Sequence, residues 1–320
     1  MNNLEKKTLL MKIQKVKPKI LVFGDIMLDH YVFGEVERIS PEAPVPILRF
    51  KNEHQVLGGA GNVAHNLVNL GAEVHMATII GKDKEGESIL ELLEKIEISS
   101  ENTFQTKNID TTKKTRYLSN GFQLLRLDND SRGFLKEDFD LFKNLINDDI
   151  NSFDCVIISD YDKGVCSETN VQGIIRKANK QKIPIFVDPK GSNWKKYSGS
   201  TCITPNIKEI QRVLNLKLRT DFDFERGARE IIQSFKLKSC LITKGANGMT
   251  YYNENESIHK DVSKKEVFDV SGAGDTVIAC LAASSISGLS LDDSLSLSSE
   301  ISSEVVTHVG TTPFNADSLN

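Results

Sequence analysis

The sequence lacks several features that mark secreted, membrane or metal-binding proteins. The five cysteines among its 320 residues are never closer than eleven positions, so CxxC and zinc-ribbon spacings are absent and free thiols in a reducing compartment are expected. No apolar run approaches the roughly 18 residues of a membrane span. The first 19 residues mix acid and base around only a short apolar stretch, too short for a signal peptide. We therefore expect a cytoplasmic protein with no membrane partner.

A large excess of one charge is also missing. Forty Lys and Arg stand against 44 Asp and Glu, which gives a formal charge of −4 and excludes the strongly basic surface of a dedicated nucleic-acid binder. The patterns GxxxxGK[ST] and HExxH are absent, which removes the P-loop nucleotide site and the zinc-peptidase site. Phosphate-bearing ligands bound in other ways remain compatible with this composition.

What the sequence does contain, from residue 20 onward, is an alternation of short apolar runs with amphipathic stretches. This alternation is typical of a parallel sheet covered by helices. The predicted buried strands span residues 20–23, 74–79, 155–159, 185–187 and 240–243. The predicted helices span residues 62–70, 85–96, 135–146, 168–180, 224–235 and 275–287. Residues 284–303 are rich in serine but keep helical spacing of their apolar residues, which predicts ordered helix. The fold class is therefore α/β, with a central, mostly parallel sheet between two layers of helices.

Two stretches break this alternation and predict a second, smaller sheet. Residues 31–50 contain three prolines that oppose helix and leave 47–50 as an edge strand. Residues 111–128 place Asn120-Gly121 between two β-prone arms, 114–118 and 122–127, which is a strong hairpin signal. Because an isolated hairpin is barely stable, it should pack on the main body or on a second copy of the chain.

The sharpest local signal for chemistry is the glycine turn before Asp275. Gly272 and Gly274 let backbone N–H groups approach a ligand closely, and the start of the following helix favours negative charge. Asp275, in the same first turn, stands where a base for a substrate hydroxyl would be needed. The pattern therefore favours phosphoryl transfer. The alternative is that Asp275 only caps the helix and the glycines only form the turn.

Residues 269–276, DVSGAGDT, resemble the C-terminal signature of the ribokinase, or PfkB carbohydrate kinase, family. Residues 24–31, 38–46 and 58–64 are similar to its D-glycero-β-D-manno-heptose 7-phosphate kinase branch, and the match continues in order through 159–164, 188–191 and 204–209. The resemblance implies a ribokinase-like fold, with an N-terminal extension over 1–18 and a kinase domain over 19–320. It also implies that strands within about 31–50 and 111–128 form a lid and a homodimer contact.

The same resemblance implies roles for individual residues. The base would be Asp275, and the anion hole would be formed by Gly272, Ala273 and Gly274. Residues placed at ATP are Asn206, Ile207, Lys208, Glu209, Thr243 and Gly245, with Glu209 organising Mg²⁺ through water. Residues placed at the sugar phosphate are Asp29, Gly58, Gly59, Asn62, Lys163 and Lys190. From the residues alone, Asn206 and Glu209 also fit a helix capping box. The resemblance leaves open whether a monovalent cation activates the site.

Several alternatives accompany the leading hypothesis of a kinase that phosphorylates the anomeric hydroxyl of heptose 7-phosphate for surface polysaccharide. Residues 59–64 satisfy the dinucleotide pattern GxGxxA, but no predicted strand directly precedes them. Asp162 stands where the branch has glycine, which leaves another sugar phosphate open as substrate. A non-catalytic nucleotide or sugar sensor of the same fold is a third hypothesis. Because no HxGH-like motif occurs, we expect a stand-alone kinase or the kinase part of a longer chain.

Overall fold

The computed structural model describes residues 1–130, 134–146, 150–262, 268–307 and 310–315. Within these residues the larger sheet has the strand order β13-β12-β11-β10-β9-β8-β1-β4-β5 and is parallel except at β12 and β13. Its strands are β1 (Lys19–Gly24), β4 (Glu73–Gly81), β5 (Thr103–Thr106), β8 (Cys155–Ser159), β9 (Ile185–Asp188), β10 (Cys202–Ile203), β11 (Ser239–Thr243), β12 (Met249–Asn253) and β13 (Ser257–Lys260). The smaller sheet has the order β3-β2-β6-β7, with strands β2 (Ile26–Ile39), β3 (Pro46–Gly59), β6 (Lys113–Ser119) and β7 (Phe122–Asn129).

Helices cover both faces of the larger sheet. They are α1 (Asn3–Val16), α2 (Ala60–Asn69), α3 (Lys84–Lys95), α4 (Lys136–Ile146), α5 (Glu168–Lys180), α6 (Ile207–Leu214), α7 (Asp221–Phe235), α8 (Ala273–Ile286) and α9 (Leu291–Val305). In β1, Ile20 and Val22 join one buried cluster, with residues of α1, α2, α3, α8 and α9. Leu21 and Phe23 join the other, with residues of α4 to α7. Because alternate side chains of a strand face opposite ways, the central strands are apolar throughout, and the predicted α/β fold class is confirmed.

The chain between residues 284 and 305 forms two helices rather than one. Helix α8 ends at Ile286, and the chain turns at Gly288, which has φ +72°, before α9 begins. The buried hydroxyls of Ser284 and Ser298 donate to carbonyls one turn back, those of Cys280 and Ser294. The prediction of ordered helix is therefore confirmed for most of this stretch. The helices tolerate these buried serines because each hydroxyl finds a hydrogen-bond acceptor within its own helix.

The smaller sheet confirms the predicted hairpin and the predicted edge strand, although the edge strand is longer than expected. Asn120 and Gly121, with φ +51° and +82°, connect β6 to β7. The strand predicted over residues 47–50 is in fact part of β3, which runs to Gly59 and leads directly into α2. A strand therefore does lead into residues 59–64, contrary to the expectation from the sequence. Since β3 pairs antiparallel with β2 in the smaller sheet, this connection is still not the parallel unit of a dinucleotide site.

Two further findings bear on the absences noted in the sequence. All five cysteines are unpaired, as predicted, and all five are also buried. In the part of the chain that the structure describes, no helix combines the length and apolarity needed to cross a bilayer.

Candidate active site

Asp275 lies in the first turn of α8, directly after the glycine turn. The N-cap residue Gly272 has φ +83°, a conformation that favours glycine. Asp275 is buried, with only 3% of its surface exposed. Asn62 Nδ2 donates to Asp275 Oδ2 over 2.7 Å, and the Tyr161 hydroxyl donates to Asp275 Oδ1 over 2.6 Å. The predicted base is therefore a buried carboxylate at a helix start, with one donor on each oxygen.

The electrostatic surroundings of Asp275 suit a base that works near neutral pH. Burial raises its pKa to about 6, the hydrogen bonds from Asn62 and Tyr161 oppose this rise, Asp29 adds to it and Lys114 opposes it. A general base is most useful when its pKa lies near the working pH. The carboxylate is therefore ionised at pH 7 and still basic enough to accept a proton.

Asn62 reaches Asp275 through a buried chain of amides. Asn66, one turn further along α2, donates from Nδ2 to the Asn62 backbone carbonyl over 2.9 Å and lies 3.4 Å from Asn62 Oδ1. Asn66 Oδ1 in turn accepts from the Thr276 hydroxyl and from the backbone N–H of Phe314. Because these partners orient Asn66, the amide nitrogen of Asn62 points at Asp275.

The predicted sugar residues Asp29, Gly58 and Gly59 lie together where β2 pairs with β3. Arg116 donates to Asp29 Oδ1 over 2.7 Å, and the Thr311 hydroxyl donates to Asp29 Oδ2 over 3.0 Å. A Cβ on Gly58 would lie 2.5 Å from Asp29 Oδ2. Gly58 is therefore required for Asp29 to keep its position.

The predicted nucleotide residues lie at the carboxyl ends of the next strands. Asn206 forms an isolated parallel bridge to Thr243, so the two are neighbours. Asn206 Oδ1 accepts from the backbone N–H of Glu209, and Glu209 Oε2 accepts from the backbone N–H of Asn206. The alternative capping box is thus present. The capping box uses only Oε2 of Glu209, and Oε1 pairs with Nζ of Lys190 at 2.9 Å. Gly245, with φ +58°, begins the turn after β11, while Ile207 and Lys208 lie in the first turn of α6.

Asp188, at the end of β9, is an additional candidate for a metal ligand. In the part of the chain that is described, its carboxylate accepts no hydrogen bond. Burial, together with the charges of Asp275 and Glu209, holds its pKa well above the usual range. A cation between carboxylates would relieve this repulsion, and Mg²⁺ prefers oxygen ligands. The carboxylates of Asp188 and Glu209 therefore suit a magnesium ion.

Two functional candidates were not singled out in the sequence, Tyr161 and Lys114. Lys114 is half-buried, and its ammonium lies 5.8 Å from the centre of the Tyr161 ring. Of the lysines that were singled out, Lys163 pairs with Asp130 at 2.6 Å and Lys190 lies beside Glu209, on the nucleotide side. The signal available for Lys114 was the alternation of side chains between the two faces of β6. This alternation places Lys114 on the same face as Asp29, its neighbour on β2.

Comparison with known proteins places this geometry in a family. The family model for pfkB family carbohydrate kinases matches residues 17–318. The bifunctional protein HldE of Sulfurimonas denitrificans is 39% identical over 302 residues, which are 94% of this chain and 63% of that protein. HldE of Aliarcobacter butzleri is 38% identical over 306 residues, 95% of this chain and 64% of that protein. The chain thus spans less than two thirds of the length of these relatives.

Solved structures agree on the fold. Phosphofructokinase-2 from Escherichia coli, in complex with potassium, superposes with a TM-score of 0.80 at 20% identity, covering 94% of this chain and 96% of that one. Arabidopsis thaliana ribokinase, complexed with ribose and ATP, superposes with a TM-score of 0.73 at 18% identity, covering 94% and 97%. The fold is therefore ribokinase-like, and by its sequence this chain belongs to the PfkB family of carbohydrate kinases and is a sugar kinase.

Proposed function

We propose that the protein transfers the terminal phosphoryl group of ATP to the anomeric hydroxyl of D-glycero-β-D-manno-heptose 7-phosphate. The product would be the 1,7-bisphosphate, a precursor of the nucleotide-activated heptose used in surface polysaccharide. The observation that carries the proposal is the buried Asp275 carboxylate beside the Gly272 turn. The heptose substrate is supported by the resemblance of residues 38–46 to the heptose branch and by the 38–39% identity to HldE proteins.

The proposed reaction needs one proton transfer and one phosphoryl transfer. Asp275 accepts the proton of the sugar hydroxyl while the oxygen forms a bond to the terminal phosphorus of ATP, and the bond from that phosphorus to the ADP oxygen breaks. N–H groups of residues 272–274 stabilise the charge of the transferring group. Asp188 and Glu209 would hold Mg²⁺, which neutralises phosphate charge when bound. A monovalent cation stays an open prediction.

The phosphate that the substrate already carries needs a cation on the sugar side. Arg116 is engaged with Asp29, and Arg126 with Asp128. Lys114 lies on the same face of the smaller sheet, and among the described residues it has no carboxylate within ion-pair distance. We therefore assign Lys114, rather than Lys163 or Lys190, as the first candidate for the phosphate.

Lys114→Met is expected to raise the KM for the sugar phosphate by about 10- to 100-fold, because a hydrogen bond to a charged group is worth roughly 1.5–3 kcal/mol. The KM for ATP should change little. Lys113→Met is the matched control, since Lys113 points to the opposite face and pairs with Glu85 at 3.1 Å. Steady-state kinetics of both variants would reject the assignment if their KM values rose equally or not at all.

A substrate panel tests the proposed acceptor. Rapid ADP release with heptose 7-phosphate and slow release with fructose 6-phosphate would support the heptose kinase. The opposite order would identify a kinase for another sugar phosphate. MgATP binding without turnover on any acceptor would instead favour the non-catalytic sensor.

The smaller sheet is also proposed as the contact of a homodimer. Strand β7 is exposed along its whole length, and it carries Phe122, Leu125 and Leu127 with 76%, 59% and 59% of their surface exposed. Exposed apolar side chains on a sheet with open edges favour pairing with a second copy. Light scattering at micromolar concentration should give about twice the 35.6 kDa of the chain, and a monomer mass would reject the dimer.

A further inference from the structure

Tyr161 contacts the proposed base from a separate part of the chain. It lies in the segment that follows β8, and its hydroxyl donates to Asp275 Oδ1 over 2.6 Å. The other donor to this carboxylate, Asn62, comes from α2. Two donors from independent elements therefore fix the plane of the Asp275 carboxylate, and each oxygen keeps a lone pair for a substrate hydroxyl.

The backbone of Tyr161 is anchored by a buried carboxylate. Asp25, with 1% of its surface exposed, accepts hydrogen bonds from the backbone N–H groups of Tyr161, Lys163 and Val165 over 2.9, 3.1 and 2.9 Å. A carboxylate that accepts hydrogen bonds from every second backbone N–H group along a loop holds that loop firmly. Tyr161 is therefore a preorganised donor.

The ring of Tyr161 is also confined from the sugar side. A Cβ placed on Gly59 would lie 3.4 Å from Tyr161 Cδ2, and the Lys114 ammonium lies 5.8 Å from the ring centre. The ring thus lies beside the proposed sugar residue Gly59, while its hydroxyl reaches Asp275. Any tilt of the ring would move its hydroxyl relative to the base.

We propose that Tyr161 is a positioning residue, which orients the Asp275 carboxylate and keeps it ionised for proton transfer from the sugar hydroxyl. This inference rests on the proposed function, because it assumes that Asp275 is the base. Hydrogen bonds to the ionised form of a carboxylate favour that form.

The charges that face Asp275 come from several elements and remain when the Tyr161 hydroxyl is removed. They are Asp29 on β2, Asp188 at the end of β9 and Lys114 on β6. Burial, together with the charges of Asp275 and Asp188, holds the pKa of Tyr161 well above its usual range, so the phenol keeps its proton. Without the Tyr161 hydroxyl, burial and the carboxylates of Asp29 and Asp188 still favour a higher pKa of Asp275. Only Asn62 and Lys114 then oppose that rise. Its pKa should then rise.

Tyr161→Phe tests this role with the loss of a single oxygen atom. For the wild type, kcat/KM should fall as the pH drops below about 6. In the variant this acid limb should move up by about one pH unit, so that kcat/KM falls about twofold at pH 7, falls by nearly tenfold at pH 5 and below, and recovers at alkaline pH. Since the loss concerns the base, kcat should fall while the KM for ATP stays unchanged. Tyr251→Phe on β12 is the matched control and should keep the wild-type profile.

The outcomes separate this inference from the function on which it rests. If Tyr161→Phe keeps the wild-type kcat and acid limb, or loses activity by the same factor at every pH, the positioning role is rejected while the kinase proposal stands. If Asp275→Asn retains turnover, the base assignment itself fails. A thermal unfolding curve equal to that of the wild type confirms that Tyr161→Phe is folded.

Discussion

Asp275→Asn is expected to lower kcat by roughly a thousandfold or more, within the 10²- to 10⁴-fold range that general bases contribute. The carboxamide has nearly the shape of the carboxylate but cannot accept the proton of the sugar hydroxyl. Because Asp275 contacts Asn62 and Tyr161 rather than the nucleotide residues Asn206 and Thr243, MgATP should still bind. Initial rates of ADP release and calorimetric titration with MgATP measure the two quantities.

The control for this change is Asp292→Asn on α9, which removes an exposed carboxylate that pairs with Lys260. It should leave kcat within twofold of the wild type, since exposed ion pairs contribute only about 0–1 kcal/mol. If Asp275→Asn kept more than a tenth of the wild-type kcat, proton abstraction by Asp275 would no longer explain catalysis.

Gly272→Ala should have the second-largest effect, with a loss of kcat of about 100-fold. The new Cβ would lie 2.8 Å from Asn62 Nδ2, so Asn62 must shift, and Asn62 is a donor to Asp275. A displacement of about 1 Å in a catalytic group is sufficient for a loss of this size. The measurement is kcat at saturating substrate.

Gly288→Ala separates backbone strain from collision. Gly288 has φ +72°, close to the +83° of Gly272, but its Cβ would meet nothing within 4 Å. Both variants should lose about 1 kcal/mol of stability from the left-handed backbone conformation. Only Gly272→Ala should lose activity. Equal losses of kcat in the two variants would mean that the collision with Asn62 is not the cause.

The parts of the fold that were predictable are those with local signals. Buried strands such as β8, Cys155–Ser159, are short β-branched runs, and Asn120-Gly121 forces a tight turn whatever lies around it. The length of β3 was not predictable, because its residues 51–54 are polar and exposed on an edge. The packing of α1 into the core was missed as well, since its buried Leu9 and Ile13 are scattered among lysines.

The candidate site likewise has a part with a local sequence signal and a part without one. Gly272 and Asp275 are only three positions apart in the sequence, so their turn could be predicted. The bond from Asn62 to Asp275 joins residues 213 positions apart, and the bond from Tyr161 joins residues 114 apart. Only the folded chain brings such groups together. Strand register likewise distinguishes Lys114, beside Asp29, from Lys190, beside Glu209.

The most direct test of the central claim is ³¹P NMR of the product formed from MgATP and heptose 7-phosphate. We expect a new phosphorus signal coupled to the anomeric proton, appearing in step with ADP and absent when Asp275 is replaced by asparagine. Phosphorylation at another hydroxyl, or ADP formation without a phosphorylated sugar, would contradict the account.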